Sequence, residues 1–400
     1  MRRPRLIDPG SSGGKNEMAL MGVDPVGIDI MEDKSRHHLI RLDDVELRAA
    51  LILKQDMLSL GGEAALTREA AGLKIRKTPV LLMGTTRQMR SLVSKLRGQP
   101  FNLPDLSGSI EKLLNTVDKG SRYVVRGQDL LSNGRKAVIG ILNVTEDSFS
   151  DGGKYAEIES AVARGIEMAS QGADIIDVGG ESTRPGAKPV SAQEQMDKVI
   201  PVIQDLKAGG VNCISIDTTR SEVAEKAMQE GACIVNDISG MAFDPRMFSV
   251  AAASEASVIL MHTRGRPQTM QEDLVYDDLM GEVCSYLEDA MDLAIGEGIP
   301  AERICLDPGI GFGKSLEQNL ELILRIGELR SLGAAVMVGA SRKSFIGALT
   351  GTDVDSRMPG SVSAAVAAAL KGADMVRVHD VAETVQAMAV VSGMKGAVKC

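Results

Sequence analysis

After residue 137 the chain carries eight short apolar runs, nearly all ending in polar residues able to do chemistry. They are VIGILN (138–143), DIIDVGGESTR (174–184), CISID (213–217), CIVND (233–237), SVILMHT (257–263), ICLD (304–307), AVMVGASRK (335–343) and DMVRVHD (374–380). Stretches with helical spacing lie between them, at 157–171, 191–208, 220–230, 276–297, 316–332 and 362–372. Strand and helix alternating eight times predict an α/β chain folded as a (β/α)8 barrel. The runs are continuously apolar, as parallel strands covered on both faces must be. In this architecture the C-terminal strand ends share one rim, where the chemistry sits. Asn143, Arg184, Asp217, Asn236, His262, Asp307, Lys343 and Arg377 are therefore expected around one cavity.

One such barrel takes about 250 residues, and the chain has 400. The barrel is assigned to 137–400, which leaves a long N-terminal region. Residues 1–36 mix Pro, Gly, Ser and charge without periodicity and read as a loose, disordered tail. Residues 37–115 read as a small α/β module, with helices at 47–60 and 86–98 and a strand at 79–84. The module shows no nucleophile, metal spacing or phosphate loop, and reads as a structural or oligomerisation appendage. Residues 116–136 form a linker in which RYVV is expected to close the bottom of the barrel.

The net charge of −9 argues against general nucleic-acid binding, which wants a basic stripe. An anionic small substrate stays open, because Arg184, Arg342, Lys343, Arg377 and His379 gather positive charge at the rim. Five cysteines at irregular spacing build neither a disulfide framework nor a structural zinc site. No signal peptide and no run near the roughly 20 apolar residues of a membrane span are found. The expectation is a cytoplasmic protein.

The first rim loop, NVTEDSFSDGG (143–153), mixes hydroxyls, carboxylates, Phe149 and paired glycines, as a mobile lid would. The second, GGESTRPG (179–186), sets Ser182, Thr183 and Arg184 between Gly and Pro-Gly breaks, a donor set suited to an anion. Asp217, Asn236 and Asp307 end three different strands. Buried there they are costly unless paired, and a flat heterocycle with several N–H donors would satisfy them. LDPGIGFGKS (306–315) leaves only three residues between Gly309 and Gly313, so it is not a Walker loop. Its glycines instead let the chain turn tightly over the barrel mouth, with Phe312 as an apolar wall. Lys343 can lay its stem against a ring. Arg377 and His379 alternate with Val378 and so share one side of a strand. His262 is evenly balanced between a structural and a functional role, and His37 and His38 read as surface residues.

GILNVTEDSFSDGG, DIIDVGGESTRPGA, ISIDTTR, IVNDISG, LDPGIGFGKS, GASRKSFIG and GSVSAAVAAALKGADMVRVHDV, in that order, closely resemble the dihydropteroate synthases. The resemblance implies condensation of 6-hydroxymethyl-7,8-dihydropterin diphosphate with 4-aminobenzoate, giving 7,8-dihydropteroate and pyrophosphate, SN1-like and with Mg2+. On the matching positions Asp217, Asn236 and Asp307 would read the pterin edge and Lys343 would contact its ring. Arg377, His379 and Asn143 would hold the diphosphate, with Asn143 also at the metal. Thr183, Arg184, Pro185, Phe312 and Ser344 would form the aminobenzoate pocket, joined by Phe149 and Asp151 from the first loop. Lys343, Arg184, Asp151 and Phe149 are the implied catalytic residues. Glu146 stands where the family usually has Pro. The resemblance also implies a homodimer with small-molecule substrates only. The N-terminal region resembles an extension carried by some of these synthases. The nearest alternative is a pterin-binding methyltransferase acting with a corrinoid partner, which would not be expected to keep SRKS or GGESTRPG.

Overall fold

The computed structural model describes residues 4–7, 14–144, 153–182 and 190–397. They fall into two compact units, one up to Asp118 and one from Lys119 to Lys395.

The first unit contains α1 (Lys15–Leu20), α2 (Pro25–Ser35), β1 (His37–Glu46), α3 (Leu47–Ser59), β2 (Glu63–Leu66), α4 (Arg68–Ala71), β3 (Lys77–Thr85), α5 (Thr86–Leu96) and most of α6 (Leu103–Lys119). Its antiparallel sheet has the order β1-β3-β2. Alternation along β3 turns Val80 and Leu82 inward, where they meet Leu53 and Met57 of α3 and Leu92 and Leu96 of α5 in one core. A capping box at Thr85 and Gln88 starts α5.

Two expectations need correction here. The stretch 1–36 is not simply a loose tail, because α1 and α2 lie within it. α2 starts where the Asp24 carboxylate accepts the Val26 N–H and Pro25 fixes the first turn, and it buries Ile28. A helix that buries one apolar side chain and is otherwise held by its cap and by ion pairs such as Lys15–Glu32 and Arg90–Asp33 leaves little periodicity to read. The module also does not end at 115, since α6 runs on to Lys119. His38 is half-buried, its Nε2 2.7 Å from Thr86 Oγ1.

The second unit opens with a hairpin, β4 (Val124–Val125) and β5 (Gln128–Asp129), and continues with eight strands. These are β6 (Ala137–Asn143), β7 (Ile175–Gly179), β8 (Ile214–Asp217), β9 (Ile234–Asp237), β10 (Ser257–Met261), β11 (Ile304–Asp307), β12 (Ala335–Val338) and β13 (Met375–Val378). Each pairs in parallel with its neighbour, and β13 pairs with β6 to close the barrel. Between them run α7 (Gly153–Ser170), α8 (Ala192–Ala208), α9 (Ser221–Glu230), α10 (Met247–Ala253), α11 (Leu279–Gly296), α12 (Leu316–Arg325), α13 (Ser344–Thr350) and α14 (Met358–Lys371), and α15 (Val381–Ala397) follows β13. Capping boxes at Ser191 with Glu194 and at Ser315 with Gln318 start α8 and α12 just past the rim. Among the described residues no helix is long and apolar enough to cross a membrane.

Strand alternation separates two cores. Val138, Ile176, Ile214, Val235, Val258, Leu306, Val336 and Val376 face outward into the helix layer. Ala137, Ile139, Ile175, Ile234, Ile259, Cys305, Met337 and Met375 form an apolar floor inside the barrel, together with Tyr123 from just before the hairpin. Tyr123 is fully buried, so RYVV supplies a plug as well as a strand. Moving two residues up β7, β9, β11 and β13 from that floor brings Asp177, Asn236, Asp307 and Arg377 to the inside.

Candidate active site

The middle of the barrel is built on a carboxylate that sequence reasoning passed over. Asp177 lies two residues above Ile175 on β7 and is fully buried. Its Oδ2 accepts Arg377 Nε at 2.6 Å and Asn236 Nδ2 at 3.0 Å. Arg377 reaches from β13 and also donates Nη2 to Asp217 Oδ2 at 2.7 Å. One guanidinium therefore ties β13, β7 and β8 together across the mouth. Burial opposes its charge, but Asp177 and Asp217 outweigh that and raise the Arg377 pKa above its ordinary value. Asp217 is itself pushed up, to about 7, chiefly by burial and against the pull of Arg377.

Asp307 closes the other side. Burial raises its pKa, while the Gly309 N–H donates to Oδ1 at 2.7 Å and pulls it down. The loop after it turns through Gly309 and Gly311 at positive φ. A Cβ at Gly309 would meet the His262 carbonyl oxygen at 2.0 Å, and one at Gly311 would meet Lys343 Cδ at 3.0 Å, so both positions require glycine. Phe312 is nearly buried, and Lys343 Nζ sits 4.0 Å from its ring centroid. Burial lowers the Lys343 pKa to about 8, with Arg377 adding to the effect. Ser344 is exposed at the start of α13, immediately after Lys343.

Asn143 ends β6 opposite Gly179 of β7. A Cβ at Gly179 would stand 3.6 Å from Asn143 Oδ1 and 3.7 Å from Asp217 Oδ2, so the bare glycine lets these groups converge on one space. His379 Nδ1 lies 3.0 Å from Ser341 Oγ, which also accepts the His379 N–H at 3.2 Å. Burial first, then Arg377, lower its pKa to about 4. His379 is thus neutral at pH 7 and adds no positive charge to the rim. Arg342 is tied to Asp380, with its Nε 3.2 Å from Oδ2, so the free rim charge is smaller than the sequence suggests.

His262 turns out to be a support. It is buried, stacks edge-on to Tyr286 at 5.0 Å, and has its pKa lowered to about 3 by burial and Lys314. Lys314, the second residue missed, donates to His262 Nδ1 at 3.0 Å, Gly309 O at 3.1 Å and Phe312 O at 2.9 Å. Burial lowers its own pKa to about 7. It pins the underside of the loop that carries Phe312. At the second rim loop, Glu181 accepts Gln195 Nε2 at 2.6 Å and the Val190 N–H at 3.2 Å, which anchors both ends. Thr183, Arg184 and Pro185 within that loop, and Glu146, Phe149 and Asp151 in the first, lie outside the described residues.

The structure thus brings together Asn143, Asp217, Asn236, Asp307, Phe312, Lys343, Arg377 and His379. The interior can accept N–H groups of a flat polar ring at its base and hold an anion at its edge. Residues 139–379 match the model of the family "Pterin binding enzyme". The chain belongs to the pterin-binding enzymes. Within that family it is 49% identical over 257 residues to a dihydropteroate synthase of Synechocystis, covering 64% of this chain and 89% of the relative. It is 40% identical over 378 residues to a probable bifunctional folylpolyglutamate synthase/dihydropteroate synthase of Halobacterium salinarum. That match takes in 92% of this chain, hence most of the N-terminal unit, but the chain spans only 44% of the relative. The solved structure of the Xanthomonas albilineans dihydropteroate synthase in complex with 7,8-dihydropteroate superposes with a TM-score of 0.62 at 39% identity, covering 68% of this chain and 98% of that one.

Proposed function

We propose that this chain is a dihydropteroate synthase, joining 6-hydroxymethyl-7,8-dihydropterin diphosphate to 4-aminobenzoate with release of pyrophosphate. The meeting of acceptors and cations inside the barrel supports the reading best. Asp217, Asn236 and Asp307 offer carboxylate and amide oxygens towards the ends of β8, β9 and β11, with Asn143 level with Asp217 across Gly179, while Arg377 and Lys343 bring positive charge to the same space. A pterin offers a guanidine-like edge that two carboxylates and an amide can accept. Lys343, laid over Phe312, would lie along the ring and present its ammonium to a ring heteroatom.

The bond from the pterin methylene to the diphosphate oxygen breaks first, and the electron pair leaves with the diphosphate. Arg377, together with the neutral His379 as a hydrogen-bonding group, would hold that leaving group. The carboxylates of Asp217 and Asp307 would stabilise positive charge spreading into the pterin. The aminobenzoate nitrogen then forms the new C–N bond and releases a proton. It needs no strong base, being neutral at pH 7. Phe149, Asp151, Thr183, Arg184 and Pro185 would close over the second substrate beside Phe312 and Ser344, keeping water from the cation.

Among the described residues no group of three or more His, Cys, Asp or Glu could hold a metal. Magnesium asks for less, keeping several waters and taking one or two protein oxygens beside substrate phosphates. The Asn143 amide oxygen, facing Asp217 across Gly179, suits that role. Bound there with the diphosphate, Mg2+ would neutralise charge on the leaving group. The reading is completed by a homodimer acting in the cytoplasm on small molecules alone.

The test is pyrophosphate release from the dihydropterin diphosphate with Mg2+, with and without 4-aminobenzoate, beside Lys343→Ala. Release coupled to dihydropteroate and lost in the variant is expected. Pterin binding without release would sink the proposal and favour the corrinoid-dependent methyltransferase.

A further inference from the structure

At the floor of the barrel, away from the rim chemistry, two thiols meet. Cys213 immediately precedes β8 and Cys233 immediately precedes β9, and their sulfurs are 3.7 Å apart. Cys233 is 5% exposed, while Cys213 is only half-buried. Arg126, at the turn of the β4–β5 hairpin with a positive φ, grips the backbone on both sides of the pair. Its Nη1 donates to Asn212 O at 3.0 Å and its Nη2 to Gly231 O at 2.9 Å. The guanidinium is thus held against the two segments that carry the thiols.

We propose that Cys213 and Cys233 are an oxidation site, converted by a small peroxide into a disulfide that staples β8 to β9. Sulfurs in van der Waals contact need only a further closure to the roughly 2.05 Å of an S–S bond. The surroundings favour a thiolate. Cys233 is held down to about 7, first by the contact with Cys213 and further by Arg126, while burial opposes. The same contact, with burial, pushes Cys213 up, so Cys233 is the thiolate of the pair and Cys213 its thiol partner.

The chemistry balances in two steps. One sulfur attacks a peroxide oxygen, the O–O bond breaks, and a sulfenic acid forms while the other oxygen takes the thiol proton and leaves as water. The second sulfur attacks the sulfenic sulfur, the S–S bond forms, and a second water departs. Two thiols lose two electrons and two protons, and the peroxide is reduced to two waters. The bond would fasten the floor ends of the strands whose rim ends carry Asp217 and Asn236. Cys305, in the same floor but fully buried and with a pKa raised well above the usual thiol range, would stay reduced.

The experiment treats reduced full-length protein with hydrogen peroxide, alkylates free thiols under denaturing conditions, and maps peptides by mass spectrometry. The expected product is a peptide pair joined through Cys213 and Cys233 that dithiothreitol separates, with Cys305 alkylated. Cys213→Ser and Cys233→Ser should each abolish it while keeping the native circular dichroism. At pH 7 Arg126→Gln should slow linkage roughly fivefold, the fall in thiolate fraction when a thiol at about 7 rises by about one pKa unit. The linked protein should melt several degrees higher than the reduced one. A sulfinic acid or glutathione adduct at Cys213 with Cys233 still alkylated would overturn the pairing. A lower melting temperature after linkage would overturn the staple.

Discussion

Asp177→Asn tests whether the buried carboxylate organises the mouth of the barrel. The substitution keeps shape and removes one charge. In the native protein Oδ2 takes two donors, Arg377 Nε at 2.6 Å and Asn236 Nδ2 at 3.0 Å, while Oδ1 makes no hydrogen bond among the described residues. An asparagine oxygen can replace Oδ2 as acceptor, but its amide then buries an N–H group beside Arg377 with nothing to receive it. Removing one partner of a buried ion pair costs about 3–5 kcal/mol. Asp217 still holds the guanidinium at 2.7 Å, which places the expected loss at the lower end, about 3 kcal/mol. For a unit of this size that is a fall of roughly 6–12 °C in melting temperature. Arg377 and Asn236 would also lose their orientation, so KM for the pterin diphosphate should rise with kcat falling less. Thermal melts and steady-state kinetics read both. A melting point within roughly 2 °C of wild type, with an unchanged KM, would refute the argument that Asp177 sets the geometry of its two partners.

Lys314 ionises near 7 in the fold against 10.5 ordinarily, so the unfolded chain binds more protons between those values and stability should climb as pH rises from about 7 towards 10. Lys314→Met should flatten that climb in denaturant melts, and an identical slope in both proteins would count against it. Gly309→Ala places a methyl 2.0 Å from the His262 carbonyl at a φ of +71°, so the variant should lose activity and roughly 3 kcal/mol or more of stability, read by urea unfolding. His379, held at about 4, should contribute no step to kcat/KM between pH 5.5 and 7.5. Wild type and His379→Gln should then differ by a constant factor across that range, and a divergence centred near about 6.5 would show the imidazole charging there.

The barrel was legible because its strands are short, apolar and end in polar residues, a pattern that follows from having both faces covered. Asp217, Asn236 and Asp307 could be picked out for the same reason, since each stands at or one residue before a strand's end, where a buried polar group demands a partner. Asp177 escaped because it sits inside a run, between Ile176 and Val178, where the sequence offers no punctuation. Its meaning lies in Arg377, two hundred positions away. Lys314 escaped for the opposite reason. Its GFGKS setting invites a phosphate reading, and only the fold shows all three of its contacts turned back on its own loop and on His262. The Arg–Asp pairing that removes Arg342 from the rim is equally a property of the closed barrel, which brings residue 380 back beside 342.

The vertical order of the interior explains why one barrel can both bind a pterin and release a diphosphate. Its floor is apolar and plugged by Tyr123. Above it three carboxylates, Asp177, Asp217 and Asp307, face two half-buried cations, Arg377 and Lys343. One of those carboxylates is committed to Arg377 and Asn236, which leaves acceptors in excess at the depth where a neutral ring with N–H donors would lie. Burial raises Asp217 and Asp307, so a donor edge that restores their charged forms offsets the cost of burying them. Charged Asp217 and Asp307 are also the groups that positive charge spreading into the ring would meet, so recognition of the ring and stabilisation of the developing cation draw on the same two carboxylates.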